Sequence, residues 1–179
     1  MPEPTIGTTI GPFTIIEAMP AGHGGMARVY IAAVGEHATI TGVGNTESLP
    51  DRVALKIARV VTPEGMSSEQ AVYFEALNNE VETLKRLRHP NIVRLFPIPR
   101  GLPRNPYAAR ATEFDGNPWF CAMEYLSGGS LESRLKALGT LPLAEAMEIA
   151  YQVGLALDHV HLKGMAHLDV KPDNILFRY

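Results

Sequence analysis

The sequence predicts an α+β chain in two parts: a lobe of mostly antiparallel strands carrying one helix, followed by a helical lobe. Three observations carry this. Strand-like runs fill much of residues 13–61 and return at 119–125. A helical period occupies 69–88 between them. From Ser130 onward the pattern is helical, until a polar loop at 165–176.

Composition sets the outer limits. The 179 residues suffice for one domain or two small lobes, and 46% apolar with 20% charged residues is ordinary for a globular chain. A net charge of −3 gives no bulk electrostatic reason to expect nucleic-acid or membrane binding. One cysteine, Cys121, rules out an intrachain disulfide and a cysteine zinc cluster and suits a reducing, cytoplasmic compartment. The N-terminus lacks the basic and apolar regions of a signal peptide. No apolar run reaches roughly 18 residues, so no membrane segment is expected in this chain, though a longer parent could carry one. There is no internal repeat.

Residues 1–12 read as an N-terminal tail. FTIIE at 13–17 is a short strand, a glycine-rich turn follows at 21–25, and RVYIAAV at 28–34 completes a hairpin. Gly, Thr, Asn and Pro make 35–51 a loop, and RVALKIARVV at 52–61 is strongly strand-like. Leu77, Val81 and Leu84 recur at i, i+4 and i+7, with Leu87 extending the stripe. His89-Pro90 closes that helix, because the residue before proline avoids helical angles. NIVRLF at 91–96 reads as a strand, and five prolines with two glycines make 97–118 a long surface loop. WFCAMEY at 119–125 is a buried strand, with Cys121 a small core residue. Ser130 caps a helix over 131–138 that Gly139 ends. A second helix runs from near Pro142 to about Lys163, with Gly164 after it. It is apolar around most of its circumference, so burial on all sides is expected, and an uncovered face would promote association.

Four features bear chemistry. Gly22-His23-Gly24-Gly25-Met26-Ala27 sits between two strands, where glycines let backbone N–H groups approach phosphate oxygens. Alone it is equally a hairpin turn. A dinucleotide fold would need a helix after it, and Arg28-Val29-Tyr30-Ile31 is strand. Second, Lys56 lies on the Ala54 side of an apolar strand, where an inward lysine needs an anion; an edge lysine that discourages aggregation is the plain alternative. At ~100° per residue Glu80 falls inside the apolar arc of the 69–88 helix, so Lys56–Glu80 is the natural pair, while Glu75 and Glu82 fall on the solvated face. Third, Met123 to Ser130 joins the two parts as a linker or a hinge. Fourth, His167-Leu168-Asp169-Val170-Lys171-Pro172-Asp173-Asn174 gathers an acid, a base and an amide in one loop. There the aspartate can accept a hydroxyl proton, the lysine steady a phosphate, and the asparagine oxygen ligate Mg²⁺. The histidines form no convincing metal cluster; His161 and His167 read as structural, and His23 as exposed.

In their order, over nearly all of residues 13–177, these features resemble the protein kinase family, of the serine/threonine type with a bacterial-like glycine loop. The resemblance implies a two-lobe fold: residues 13–126 as the ATP-binding lobe with its hinge, and 127–179 as the start of a helical lobe. It implies that Gly22, Gly24 and Ala27 cover the phosphates and that Lys56, held by Glu80, anchors them. Met123 matches the gatekeeper. The Glu124 carbonyl and Leu126 backbone match the adenine contacts, with Val29, Ala54 and Leu176 sandwiching the ring. Asp169 matches the catalytic base and Asn174 a magnesium ligand, and Lys171 resembles the serine/threonine subclass. The cofactors implied are ATP and Mg²⁺, and the partner is a protein substrate with Ser or Thr. Ala27 departs mildly from the third glycine. Leu168 replaces the loop arginine that in the family often meets an activation-loop phosphate. The chain also ends at Tyr179, ahead of the family's D-F-G aspartate, activation loop and A-P-E motif. A truncated helical lobe is therefore expected, with phosphotransfer belonging to a parent protein and absent from residues 1–179 alone. A non-catalytic ATP-binding pseudokinase or partner module is the alternative. A small-molecule kinase of related fold fits the Lys171-Pro172-Asp173-Asn174 stretch less well.

Overall fold

Alternating β-branched and aromatic residues in the first part of the chain assemble as strands whose two faces bury different cores. A computed structural model describes residues 4–19, 27–35, 39–42, 45–59, 69–99, 101, 105–114 and 116–179. They cluster into two units: Met1–Arg86 with Arg94–Tyr125, and Leu87–Val93 with Leu126–Tyr179.

In the first unit the strands are β1 (Thr9–Ile10), β2 (Phe13–Ala18), β3 (Ala27–Val34), β4 (Thr39–Gly42), β5 (Asn45–Ser48), β6 (Arg52–Ala58), β7 (Leu95–Phe96), β8 (Ala108–Arg110) and β9 (Trp119–Glu124), with helix α1 at Glu69–Leu84. Seven of the strands make one antiparallel sheet in the order β1-β2-β3-β6-β9-β7. The outer edge of β9 is shared: β7 takes Ala122 and Met123, and β8 takes Trp119, Phe120 and Cys121. Val53, Leu55 and Ile57 of β6 pack with Phe13, Tyr30 and Phe120 on one face. Ala58 on the other face joins Leu77 and Val81 of α1, Leu95 and Cys121.

Several sequence expectations change here. Residues 1–12 include β1, whose Ile10 is fully buried, so the segment is not a free tail. The 35–51 loop contains the β4–β5 hairpin, joined Thr39 to Ser48 and Gly42 to Asn45. α1 ends at Leu84, short of His89-Pro90; Leu87 is buried but lies past the helix. Of 91–96 only Leu95–Phe96 is strand. The 97–118 segment is not wholly a surface loop: β8 fills the free half of β9's edge, and Ala108, Ala109 and Ala111 are buried. Ala108-Ala109-Arg110, among prolines, is too short a run to announce a strand.

The second unit holds α2 (Leu131–Leu138), α3 (Leu143–Leu162) and a 3-10 turn at Pro172–Asn174. Ser130 caps α2 by accepting from the Ser133 N–H, and Ser133 Oγ accepts in return from the Ser130 N–H, both at 3.1 Å. Gly139 ends α2 at φ 75°, a backbone angle that favours glycine. Residues 175–177 run antiparallel to 128–131: the Gly128 N–H donates to Phe177 O at 2.9 Å, and the Leu131 N–H donates to Ile175 O at 2.8 Å. A Cβ on Gly128 would stand 2.6 Å from Phe177 Cβ, so glycine is what allows the approach. Arg134 lies 4.0 Å over the Phe177 ring and pairs with Glu145, tying α2 to α3. The 87–93 segment is held by Asn91 Nδ2 donating to Gln152 O at 3.0 Å and by Arg178 donating to Pro90 O. α3 is not buried all round: among its residues only Val160 is buried, and Leu143, Met147, Tyr151, Leu155 and Leu162 are exposed.

Candidate functional site

Strand alternation places Lys56 on the α1 side of β6, between Val29 of β3 and Cys121 of β9 in register. Glu80 lies on the α1 arc with Leu77 and Val81, and its carboxylate pairs with Lys56 Nζ. Both side chains keep partial exposure, so the charges are cheap to hold and reachable by a polar ligand. Burial pushes the Cys121 thiol up to about 12, with the Glu80 charge adding to the rise and Lys56 opposing it. The thiol is therefore protonated and inert near neutrality.

Glu75 is exposed, as its place on the wheel predicts. Glu82 is not simply solvated: it accepts from Lys85 Nζ at 2.5 Å and from Asn105 Nδ2 at 3.2 Å. Asn105 was missed, because a lone asparagine among prolines signals only a turn.

Gly22 and Gly24 lie outside the described residues, as does His23. Ala27 and Val29 belong to β3. Ala54 is buried and registers with Met123, which packs on the cluster of Leu77 and Val81. The Glu124 N–H donates to Arg94 O at 2.8 Å, and its carboxylate accepts from the Arg94 N–H at 3.3 Å. Leu126 and Leu176 belong to the second unit, the latter half-exposed and bridged to Ser130.

The polar loop of the second unit gathers three of the residues singled out. Lys171 Nζ lies 3.0 Å from Asp169 Oδ2. Asn174 Nδ2 donates to Asp169 Oδ2 and to its carbonyl O, both at 2.9 Å. Pro172 starts the 3-10 turn that swings Asn174 back over Asp169. Hydrogen bonds from Lys171, then from Asn174, hold the Asp169 carboxyl below its ordinary 3.8. His167 Nδ1 accepts from the Asp169 N–H at 3.3 Å, a structural role. Leu168 adopts φ 62° and is 94% exposed, presenting an apolar side chain where the family arginine would stand. Among the described residues no group of three or more His, Cys, Asp or Glu could hold a metal ion, and no helix is long and apolar enough to cross a membrane.

Residues 34–179 match the protein kinase domain family, and the chain belongs to it. Over 173 residues it is 32% identical to the serine/threonine-protein kinase PknD of Mycobacterium tuberculosis, covering 97% of this chain and 21% of that one. Serine/threonine-protein kinase PknA of the same species is 31% identical over 130 residues, which cover 73% of this chain and 28% of the relative. The chain thus spans under a third of the length of these relatives. The crystal structure of the Mycobacterium tuberculosis PknI kinase domain superimposes with a TM-score of 0.61 at 24% identity, covering 97% of this chain and 57% of that one. This likeness shows the kinase fold.

Proposed function

We propose that the whole protein to which this kinase domain belongs transfers the γ-phosphoryl group of ATP to Ser or Thr hydroxyls of proteins. The observation that carries the reading is the convergence of Lys171 and Asn174 on Asp169. In the proposed step the hydroxyl oxygen forms a bond to the γ-phosphorus, the bond from that phosphorus to the bridging oxygen of ADP breaks, and the hydroxyl proton passes to Asp169. A carboxyl held below its ordinary value is ionised at neutrality but weakly basic. That suits a reaction in which the aspartate orients the hydroxyl and takes its proton late. In this reading Lys171 steadies the phosphoryl group in transit, and its pairing with Asp169 supports that role.

Lys56, oriented by Glu80, anchors the α/β-phosphates. Gly22, Gly24 and Ala27 cover them, and Val29, Ala54 and Leu176 enclose the adenine, with Met123 as gatekeeper and the Glu124 carbonyl and Leu126 backbone as its hydrogen-bonding groups. Asn174 Nδ2 is committed to Asp169, which leaves its hard Oδ1 oxygen as one ligand that magnesium would take, with phosphate oxygens and water completing the shell. Bound magnesium supplies charge neutralisation on the phosphate oxygens. Leu168 cannot pair with a phosphate, so activity is independent of a phosphate read at that position; phosphatase treatment leaving substrate phosphorylation intact supports this, and a large loss opposes it. The main reading is tested on the whole protein with labelled ATP and a mixed protein substrate. Phosphoserine and phosphothreonine are the expected products; phosphotyrosine, or no transfer, overturns it.

A further inference from the structure

Asn105 is 8% exposed, the one buried residue of polar type outside the hydrophobic core among the described residues. Both its N–H donors and its amide oxygen are engaged. Nδ2 donates to Glu82 Oε1 at 3.2 Å and to Asn78 Oδ1 at 3.4 Å, both on α1, while Oδ1 accepts from the Tyr107 N–H at 3.3 Å. Its carbonyl accepts from the Ala108 N–H, at the first residue of β8, at 3.4 Å. One residue thus joins the helix, through its side chain, to the segment that leads into β8, through its Oδ1 and its carbonyl.

On α1, Glu80 and Glu82 are about 200° apart. Glu80 is held by Lys56 and Glu82 by Asn105, so opposite sides of the helix are fastened to the rest of the unit. Lys85 also pairs with Glu82, but it stands three residues along the same chain and gives no purchase on the sheet. A rotation or lifting of α1 that frees Glu80 must therefore break the bond from Asn105. Such a bond between a buried amide and a carboxylate specifies one arrangement, because no water replaces it cheaply at the amide end.

We propose that Asn105 is a positioning residue: through Glu82 it fixes the rotation of α1 that presents Glu80 to Lys56. The proposal rests on the reading of Lys56 as the phosphate anchor. It gives residues 105–107, leading into β8, the task of holding α1 in place.

Cys121, the sole cysteine of the chain and fully buried in the cluster with Leu77 and Val81, reports α1 opening independently of activity. The test measures its labelling by a thiol reagent under native conditions, alongside ATP affinity by calorimetry with magnesium. Asn105→Ala is expected to speed labelling about tenfold and weaken ATP binding in parallel. Asn105→Asp should do more, since a second carboxylate then faces Glu82. Combining Asn105→Asp with Glu82→Gln restores a donor opposite an acceptor and should return both readouts to within about twofold of the unaltered chain. This pair decides the matter even where Asn105→Ala fails to fold. Unchanged labelling and affinity in the single variants, or no rescue in the pair, overturns the proposal. Lys56→Met separates the two readings: unchanged ATP affinity there removes the anchor assignment, while the labelling order still judges Asn105. Faster labelling without weaker ATP binding, where Lys56→Met does weaken it, also overturns the proposal.

Discussion

Lys56 on β6 and Glu80 on α1 form an ion pair beside Cys121, the residue that registers with Lys56 on the neighbouring strand. Because the pair is partly exposed, its worth to stability is small, within about 1 kcal/mol. Its effect belongs to ligand binding. In the whole protein, Lys56→Met is expected to remove most phosphotransfer, and Glu80→Gln to lower it by at least about tenfold, with circular dichroism unchanged. Glu82→Ala is expected to act differently. It leaves the Asn105 amide short of a partner and should lower stability by about 1–3 kcal/mol in a urea melt. A melt identical to the unaltered chain would contradict that bond.

Asp169→Asn keeps the shape of the loop and removes the basic carboxylate. The expected loss is about 10²–10⁴-fold in kcat, the usual contribution of a general base, with ATP affinity retained. Unaltered turnover of a protein substrate would reject the assignment.

Those two predictions rest on features legible in the sequence to different degrees. The Lys56–Glu80 pairing followed from two periods, two for the strand and 3.6 for the helix, which placed both charges toward each other. The 167–174 loop was legible as residue types, but the folding of Asn174 back onto Asp169 depends on the 3-10 turn begun by Pro172. Glu82 was misread because a helical wheel knows only the helix; its partner Asn105 arrives from a segment 23 residues away. β8 escaped notice for a related reason: Ala108 and Ala109 have little strand preference, and the open edge of β9 supplies the pairing. The Gly128-Gly129 pair was readable as a flexible joint, yet Gly128 is tightly packed against Phe177.

The lowered Asp169 carboxyl gives a signed prediction about pH. Lys171 and Asn174 bond to the charged form, so the folded value lies below the ordinary 3.8. The stability this contributes is present above that ordinary value and is lost as pH falls through the folded one. Lys171→Met removes the largest cause, so the Asp169 carboxyl should titrate at higher pH than in the unaltered chain. Carbon-13 NMR of the side-chain carboxyl measures this directly. An unmoved or lowered titration would show that Lys171 does not govern the charge.

Gly128→Ala tests the ladder between 128–131 and 175–177. The added methyl meets Phe177 Cβ at 2.6 Å and Phe177 O at 2.7 Å, and both atoms are fixed by the backbone, so a rotamer change relieves neither. A loss of about 1–3 kcal/mol is expected from overpacking. Gly154→Ala, where nothing lies within 4 Å, is the matched control and should be neutral or stabilising. Equal denaturation midpoints for the two variants would mean that the ladder is not closely packed in solution.

The last prediction concerns α3. Leu143, Met147, Tyr151 and Leu155 follow one another at intervals of four, and all are exposed. Side chains four apart stack along one side of a helix, so the four make a continuous apolar stripe rather than scattered contacts. Leu162 adds a fifth exposed apolar side chain near the helix end, with 77% of its surface in water. Soluble monomers rarely leave a contiguous apolar surface of this kind uncovered, since each buried CH₂ gains roughly 0.8 kcal/mol by leaving water. The 179-residue chain is therefore expected to self-associate, with a mass by light scattering that rises with protein concentration. Replacing Met147 and Tyr151 together by lysine places two charges in the middle of the stripe without touching a buried residue. That variant should remain folded and shift toward the monomer mass. A concentration-independent monomer for the unaltered chain, or an oligomer that the double substitution leaves intact, would show that this stripe does not drive association.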